Sequence, residues 1–435
     1  MPANKPAKSK QASPRDAACR LLQKIYAARS YANLALDAEL SRLNMPVADA
    51  GLCAALVYGV IERRRLLDYQ LELLLEQPLE KLPPVTLAAL RLGLYQLFFM
   101  DRVPPHAAIN ESVELVKQSK AQYTAKLVNA VLRRAQGRGL QLPEGDGDHA
   151  RSVRYACPEW LCALWREAYG ADTARELLAA SFDDTKTILR ANTLRITPEE
   201  LRERLGGEVV ELVPEAIALP KAGDVRRLPG FAEGLFHVQD TAAQLCCKML
   251  NPQPGETVFD LCAAPGGKSF TCAQMMQNRG KIVAVDLHPH RLKLLTEGAE
   301  RLGVTCIETK AGDASDPQFL SQIGTADRIL CDVPCSGLGI IRKKPDIREK
   351  MPDELDKLPE MQYSILCASV RCLRPGGVLV YAACTLNPAE NEEVCERLLQ
   401  SNPECRMISQ QTLFMHEAHT DGFFVASFEL TGLTA

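Results

Sequence analysis

The chain has 435 residues, of which 46% are hydrophobic and 24% charged, an ordinary composition for a globular protein. This length is enough for roughly two to four domains, and no apolar run approaches the roughly 18 residues of a membrane helix. The first residues are rich in Lys, Ala, Ser and Pro and lack the apolar core of a signal peptide. We therefore predict a flexible tail over residues 1–14 and a cytoplasmic, monomeric protein that does not bind membranes.

The net charge of −3 is unevenly distributed along the chain. Residues 1–142 contain 20 Lys and Arg against 12 Asp and Glu, whereas the remainder contains 31 against 42. A basic first third attached to an acidic body favours contact with a polyanion. A solvated helical surface is an equally good interpretation of the same charges.

The 16 cysteines contain no Cys-x-x-Cys pair, so a zinc site is not expected and we predict no metal. A disulfide framework would be unusual in a large cytosolic protein. Most of the cysteines are therefore predicted to be small buried residues.

The first folded region, residues 15–140, is predicted to be an all-α domain. One apolar face combines Leu87, Leu90, Leu94 and Leu97 in a helical spacing. Prolines punctuate the helical pattern, and a Gly-rich linker over residues 136–149 follows it.

Residues 150–235 are predicted to form a small α+β module that takes part in RNA recognition. Helices are expected over 159–169, 173–180 and 198–205, with a strand over 187–192. Four arginines of the module are candidates to meet phosphates, although solvation at the surface explains them equally well: Arg190, Arg195, Arg226 and Arg227.

From residue 236 to 435 strands and helices alternate, which indicates a doubly wound, mostly parallel sheet. Ligands of such sheets bind beyond the carboxyl ends of the strands. The predicted strands are 257–261, 281–286, 328–333, 378–384 and 423–430, and the predicted helices are 268–277, 289–302, 354–372 and 390–400.

A glycine-containing turn follows the first of these strands and leads into a helix. Two adjacent glycines let the backbone approach a ligand closely, and the start of the helix supplies free N–H donors. The turn lacks the GxGxxG pattern of dinucleotide-binding proteins, so alone it is a weak signal. The residues of this candidate cofactor loop are Cys262, Ala263, Ala264, Pro265, Gly266, Gly267 and Lys268.

Acidic residues follow at the ends of later strands. Asp286 lies about 20 residues beyond the glycines, where an acid can bind ribose hydroxyls, and Asp313 ends a third strand, where it suits an adenine amino group. This pattern favours a cofactor with ribose and adenine but without a pyrophosphate, and S-adenosylmethionine fits it better than NAD does. The alternative is that these acids only cap helices.

Two further strand ends carry a cysteine each, Cys335 in Asp332-Val-Pro-Cys-Ser-Gly and Cys384 in Tyr381-Ala-Ala-Cys-Thr. An exposed thiol at a strand end suits covalent chemistry on an unreactive carbon such as cytosine C5. A thiolate that adds to C6 makes C5 nucleophilic, and Asp332 is placed to stabilise charge on the ring near N3. These patterns do not decide which cysteine attacks. Arg342, Lys343 and Lys344 follow this loop and can contact backbone phosphates, or lie in a solvated loop.

These segments together resemble the RNA cytosine-C5 methyltransferases of the NOL/NOP/Sun type. The resemblance rests on residues 260–268, 332–337, 384–392 and 421–426. The helical region is similar to the NusB-like RNA-binding domain of one branch of that family, through residues 30–36, 58–63 and 107–113. Residues 236–240 match the entry of that branch into its catalytic domain.

The resemblance implies a multi-domain fold with an all-α NusB-like N-terminal domain, a small α+β module and a C-terminal α/β Rossmann-like methyltransferase domain. It implies S-adenosylmethionine-dependent methylation of cytosine C5 in 16S small-subunit ribosomal RNA through a covalent cysteine–C6 adduct. Cys384 would be the nucleophile and Cys335 the thiol needed for product release. The cofactor pocket would be lined by residues 262–268 and by Asp286, Asp313 and Asp332.

The chain departs from the family at one place: the usual Ser-Thr-Cys-Ser around the nucleophile is Ala382-Ala383-Cys384-Thr385. The thiol is retained, so activity is still expected. Three other functions stay open from the sequence. They are the same chemistry on transfer RNA, a non-catalytic RNA-binding or antitermination scaffold, and, more distantly, a nicotinamide-dependent enzyme.

Overall fold

The computed structural model of the protein describes residues 13–28, 32–220, 222–418 and 420–431. Residues 1–12 of the predicted tail lie outside the described residues, as do residues 30 and 31 of the NusB-like pattern. The first helix begins at Pro14, the last residue of the predicted tail. The chain divides into two compact units, residues 1–163 with 348–350, and residues 164–347 with 351–435.

The described part of the first unit is helical, as predicted. Prolines stand at the first positions of α5 and α6, where the missing N–H costs nothing. Leu90 and Leu94 are fully buried in its core, with Leu87 and Leu97 packed against them. The helices are α1 Pro14–Ala28, α2 Ala32–Leu43, α3 Val47–Glu62, α4 Arg64–Glu72, α5 Pro84–Phe99, α6 Pro105–Lys117, α7 Ala125–Arg138 and α8 Asp148–Arg154, and α9 Glu159–Tyr169 begins in this unit.

The second unit opens with the predicted α+β module, a sheet of four antiparallel strands in the order β2-β3-β1-β4. Helix α11 has the predicted bounds because Thr197 forms a capping box with Glu200 and Gly206 ends the helix in the left-handed conformation. The other three strands were not predicted, since each has only two to four residues. The elements are α10 Ala171–Ala180, β1 Thr187–Ala191, α11 Pro198–Leu205, β2 Glu208–Val209, β3 Ala216–Leu219 and β4 Phe236–Val238.

The rest of the unit is built on a seven-stranded sheet with the order β10-β11-β9-β8-β5-β6-β7. Strands β7, β6, β5, β8 and β9 are parallel, and β11 and β10 extend the sheet in antiparallel fashion. Its elements are α12 Thr241–Leu250, β5 Thr257–Asp260, α13 Gly267–Met275, β6 Lys281–Asp286, α14 Pro289–Leu302, β7 Ile307–Ala311, α15 Pro317–Ile323, β8 Ala326–Asp332, α16 Leu358–Val370, β9 Leu373–Ala383, α17 Glu392–Ser401, β10 Cys405–Leu413, α18 Met415–Ala418 and β11 Phe423–Leu430.

The doubly wound prediction is confirmed, but the edge strand β10 was not predicted. Most of its residues are exposed, including Arg406, Gln410 and Gln411, so its sequence has the polarity of a loop. It is a strand because β11 pairs with it along most of its length. Polar residues on an edge strand also discourage pairing with other chains.

Apolar layers cover both faces of the sheet, with Tyr381 and Phe424 in one and Val380 and Val425 in the other. Because five neighbouring strands are parallel, their carboxyl ends lie along one edge of the sheet, where the candidate site residues follow them. None of the helices in the described ranges is long and apolar enough to cross a bilayer.

Candidate functional site

The candidate cofactor loop connects β5 to α13 in a single sharp turn. Gly266 has φ of 110°, and an added Cβ there would lie 2.6 Å from Phe270 and 2.7 Å from Leu295. A side chain at this position is therefore excluded by conformation and by packing. Helix α13 begins at Gly267, so the first N–H groups of that helix, which have no acceptor within it, lie beside the loop.

Asp286, the last residue of β6, ties this loop to the sheet. Its carboxylate accepts hydrogen bonds from the N–H of Ala264 at 3.3 Å and of His288 at 2.9 Å. Arg291 on α14 completes the contact, because it donates to the carbonyl of Ala264 at 2.9 Å and lies 3.3 Å from the Asp286 carboxylate. Arg291 was not singled out from the sequence, where it is one of many arginines.

Asp313 lies at the same edge, two residues beyond β7. The N–H of Gly312 donates to the carbonyl of Asp286 at 3.2 Å, which places this segment beside β6. Asp313 is exposed and accepts hydrogen bonds from the backbone and hydroxyl of Ser315 at 2.8 and 2.7 Å. Asp313 therefore caps its own turn through Oδ1, and its side chain is also exposed to solvent.

Lys268 and Asp332 join the first turn of α13 to the end of β8. The Nζ of Lys268 lies 2.5 Å from Oδ2 of Asp332, and only 12% of the lysine side chain is exposed. Burial alone would lower the pKa of Lys268, but the adjacent Asp332 carboxylate outweighs it and raises that pKa above its ordinary value. Lys268 is therefore a fixed cation at the centre of the site.

The two candidate thiols are in direct contact, with their Sγ atoms 3.3 Å apart and both side chains half-buried. The hydrogen bond between the two sulfur atoms lowers the pKa of Cys384. Burial and the Asp332 carboxylate raise that pKa, and the Lys268 cation lowers it. The same bond, burial and the nearby Glu390 carboxylate raise the pKa of Cys335. The two shifts favour Cys384 as the thiol of the pair that ionises more readily, a distinction that the sequence patterns alone did not make.

Two acids at the site were not predicted as site residues. Asp260, the last residue of β5, accepts a hydrogen bond from the Ser269 hydroxyl at 2.6 Å, and burial raises its pKa to about 7. Glu390 is fully buried and hydrogen-bonded to the loops of both thiols. The only sequence signal for Glu390 was its place in the 384–392 segment, six residues beyond Cys384.

The basic residues after the Pro-Cys loop are not all free to meet phosphates. The Nζ of Lys343 lies 2.6 Å from Asp240 and 2.8 Å from Asp421, and Arg342 donates to the carbonyl of Thr420. Burial and the neighbouring Asp240 raise the pKa of Asp421 to about 6. Arg342 and Lys343 are therefore bound to neighbouring groups of the same unit, although Lys343 is also exposed to solvent, so the two interpretations of this segment stay open.

Of the cysteines outside the pair, Cys262 lies within the cofactor loop and is half-buried. Most of the others are buried, as predicted. Across the described residues, no group of three or more His, Cys, Asp and Glu is arranged to hold a metal ion.

Family profiles match the chain in three consecutive regions. They are the NusB family over residues 12–137, the RsmF/B-like ferredoxin-like domain over 157–226, and 16S rRNA methyltransferase RsmB/F over 247–429. These matches confirm the predicted fold class, with a NusB-like helical domain, a small α+β module and a Rossmann-like methyltransferase domain.

Individual proteins align over nearly the whole chain. The probable ribosomal RNA small subunit methyltransferase B of Synechocystis sp. is 37% identical over 96% of this chain and 99% of its own length. Its counterpart of the same description in Bacillus subtilis is 35% identical over 97% of this chain and 100% of its own length. The crystal structure of PH0851 has the same fold, with a TM-score of 0.80 at 24% identity over 96% of this chain and 98% of that one.

Replacing Lys268 with Met should raise the pKa of Cys384, because the cation that favours its thiolate is removed. The thiolate fraction then falls at every pH below the new pKa, so Cys384 should react with iodoacetamide about three- to tenfold more slowly near neutral pH. Peptide-resolved mass spectrometry measures this rate without any substrate. Lys293→Met, on the exposed face of α14, is the control; equal rates in both variants would show that Lys268 does not act on the thiol.

Proposed function

Because the chain belongs to the 16S rRNA methyltransferase RsmB/F family, we propose that it transfers a methyl group from S-adenosylmethionine to C5 of a cytosine in 16S small-subunit ribosomal RNA. The observation that carries the cytosine assignment is the pair of cysteines, Cys335 and Cys384, whose Sγ atoms lie 3.3 Å apart beside the candidate cofactor loop. A methyl acceptor that is already nucleophilic, such as an amine, needs neither thiol.

The residues at the sheet edge fit S-adenosylmethionine, which supplies an activated methyl group when bound. The start of α13 offers N–H donors and a partial positive charge to the carboxylate of the methionine part. Acceptors for ribose hydroxyls and the adenine amino group stand at two neighbouring strand ends, on Asp286 and Asp313. The proposed pocket comprises Cys262, Ala263, Ala264, Pro265, Gly266, Gly267, Lys268, Asp286, Asp313 and Asp332.

In the proposed reaction the Sγ of Cys384 forms a bond to C6 of the cytosine, and the electron pair of the C5–C6 double bond moves into the ring. C5 then forms a bond to the transferred methyl group, whose bond to the sulfonium sulfur breaks with its electron pair left on that sulfur. A base removes the C5 proton, the C5–C6 double bond re-forms, and the C6–S bond breaks to return the thiolate. The ring takes up a proton at N3 to offset the added charge, and Asp332, held by Lys268, is placed to accept a hydrogen bond from that N–H. Cys335 assists the release of the product.

The target cytosine must leave any base stack before a thiol can reach C6. We propose that the NusB-like domain over residues 15–140 and the module over 150–235 hold the RNA, and that residues 236–435 carry out the chemistry. The basic balance of residues 1–142 supports this division. Transfer RNA as the target and a non-catalytic scaffold are the alternatives.

Methyl transfer from radiolabelled S-adenosylmethionine to unmodified 16S RNA and to bulk transfer RNA, side by side, tests the proposal. We expect 5-methylcytosine in the 16S RNA with the native chain and none with Cys384→Ala, because the adduct cannot form. Cys306→Ala, at a half-buried cysteine outside the site, should retain activity. Label only in transfer RNA would overturn the target, and turnover by Cys384→Ala would overturn the nucleophile assignment.

Replacing Cys335 with Ala should leave adduct formation intact and block product release. A protein–RNA complex that survives denaturing gel electrophoresis is therefore expected in the presence of S-adenosylmethionine. The double variant with Cys384→Ala is the control, since it has no thiol to attach. Normal turnover and no complex in Cys335→Ala would leave that thiol without a part in release.

Replacing Asp286 with Ala should weaken the binding of S-adenosylmethionine by roughly 1.5–3 kcal/mol, the range for a lost hydrogen bond to a charged group. Isothermal titration calorimetry with the cofactor alone measures this without RNA. Asp353→Ala removes an exposed carboxylate elsewhere in the same unit and should bind as the native chain does. An unchanged affinity in Asp286→Ala would remove that acid from the pocket.

A further inference from the structure

Glu390 is a completely buried carboxylate on which three hydrogen-bond donors converge. The N–H of Ser336 donates to Oε2 at 2.8 Å, Nε2 of Gln362 donates to the same oxygen at 3.0 Å, and Nδ2 of Asn387 donates to Oε1 at 2.9 Å. The carboxylate accepts all three of these hydrogen bonds, which suits its ionised form, because an ionised carboxylate has acceptors and no donor.

These donors belong to the segments that carry the two thiols. Ser336 directly follows Cys335, and Gln362 also donates to the carbonyl of Pro334 at 3.0 Å, so the Pro-Cys loop is held at two points. Asn387 lies three residues after Cys384. The carboxylate of Glu390 therefore joins the loop after β8 to the loop after β9.

Further bonds around Glu390 make this junction rigid. The hydroxyls of Ser336 and Thr385 are 2.6 Å apart, and Nδ2 of Asn391 donates to the carbonyl of Thr385 at 3.1 Å. The Tyr381 hydroxyl donates to the backbone carbonyl of Glu390, which anchors the glutamate to β9 itself. These contacts fix the position of the Glu390 side chain, and its hydrogen bonds in turn fix the two loops relative to each other.

We propose that Glu390 is the positioning residue of the thiol pair: its carboxylate binds the loop of Cys335 and the loop of Cys384 and so holds the two sulfur atoms in contact. The inference rests on the proposed function for its meaning, because that function uses both thiols. Its geometry stands without that function.

The charged groups around the two sulfur atoms are arranged unequally. Cys335 faces Cys384 and the negative charge of Glu390, and both disfavour a thiolate there. Cys384 faces the cation of Lys268, with Asp332 and Asp421 acting in the opposite sense. The negative charge of Glu390 therefore acts against ionisation of Cys335, whereas the cation and the two carboxylates near Cys384 oppose one another.

Glu390→Gln tests the proposal, because it keeps the size of the side chain and removes the charge. The rates at which iodoacetamide modifies Cys335 and Cys384 are measured from pH 6 to 10 by peptide-resolved mass spectrometry on the full chain, without cofactor or RNA. We expect the preference for Cys384 to fall about tenfold or more, with the reaction of Cys335 beginning at lower pH. Glu393→Gln, an exposed residue three positions away on α17, is the matched control and should behave as the native chain does.

Glu390→Asp separates charge from reach, since it keeps the carboxylate and shortens the side chain by one methylene. In this variant Cys335 should still begin to react only at high pH, as in the native chain. Methyl transfer should nevertheless fall roughly ten- to hundredfold, the cost of misplaced charged hydrogen bonds. If Glu390→Gln does not fold, as judged by its unfolding transition, this variant carries the test alone: a thiol preference equal to the native value together with undiminished transfer would overturn the proposal.

An unchanged pH profile and thiol preference in a folded Glu390→Gln would also overturn it, because a residue that only stabilises the fold would not move them. Altered thiol preference in a chain whose native form transfers no methyl group would support the positioning role and reject the proposed function. The two inferences therefore fail separately.

Discussion

The register between the parallel strands β8 and β9 is the constraint on which the rest of the site depends. Asp332 pairs with Ala382 across these strands, and the N–H of Val333 donates to the carbonyl of Ala382 at 3.1 Å beyond that pair. Cys335 and Cys384 follow within three residues of these positions, so their sulfur atoms meet. A shift of one residue would turn alternate side chains to the opposite face and separate them.

Close backbone packing secures the same edge from the side of β11. The N–H of Gly422 donates to the carbonyl of Gly339 at 2.8 Å, and a Cβ on Gly339 would lie 1.8 Å from the carbonyl oxygen of Gly422. Only glycine permits this approach. The loop after Cys335 is thereby fixed against the strand that leads away from the site.

The charged side chains at the site are paired with neighbouring groups of opposite charge, rather than forming an electrostatic potential of one sign. Lys268 is paired with Asp332, and Lys343 with Asp240 and Asp421. Buried charges cost less when they are paired and hydrogen-bonded, and they hold a geometry that single groups would not. The result is a site in which the Lys268 cation lowers the pKa of Cys384 against two carboxylates, and Glu390 raises the pKa of Cys335.

Local signals in the sequence determined the elements that bear the site. Helix α14 was predicted to the residue because Pro289 starts it and Gly303 ends it in the left-handed conformation, and β6 was predicted because it is a continuous apolar run that ends in Asp286. The cofactor loop, its acids and both cysteines could be found for the same reason: each follows a strand whose end the sequence marks. The family resemblance then assigned their roles.

Only the tertiary structure decided the remainder, because it depends on contacts between residues far apart in the chain. Strand β10 exists through pairing with β11 and has no apolar pattern of its own. The difference in pKa between Cys335 and Cys384 arises from the contact between their sulfur atoms and from the charges of Lys268, Asp332 and Glu390, most of which lie tens of residues from one or both thiols. The spacing of residues in a sequence does not report distances in space, so the sequence identified the candidate thiols, whereas packing determined that they lie in contact and which charges surround them.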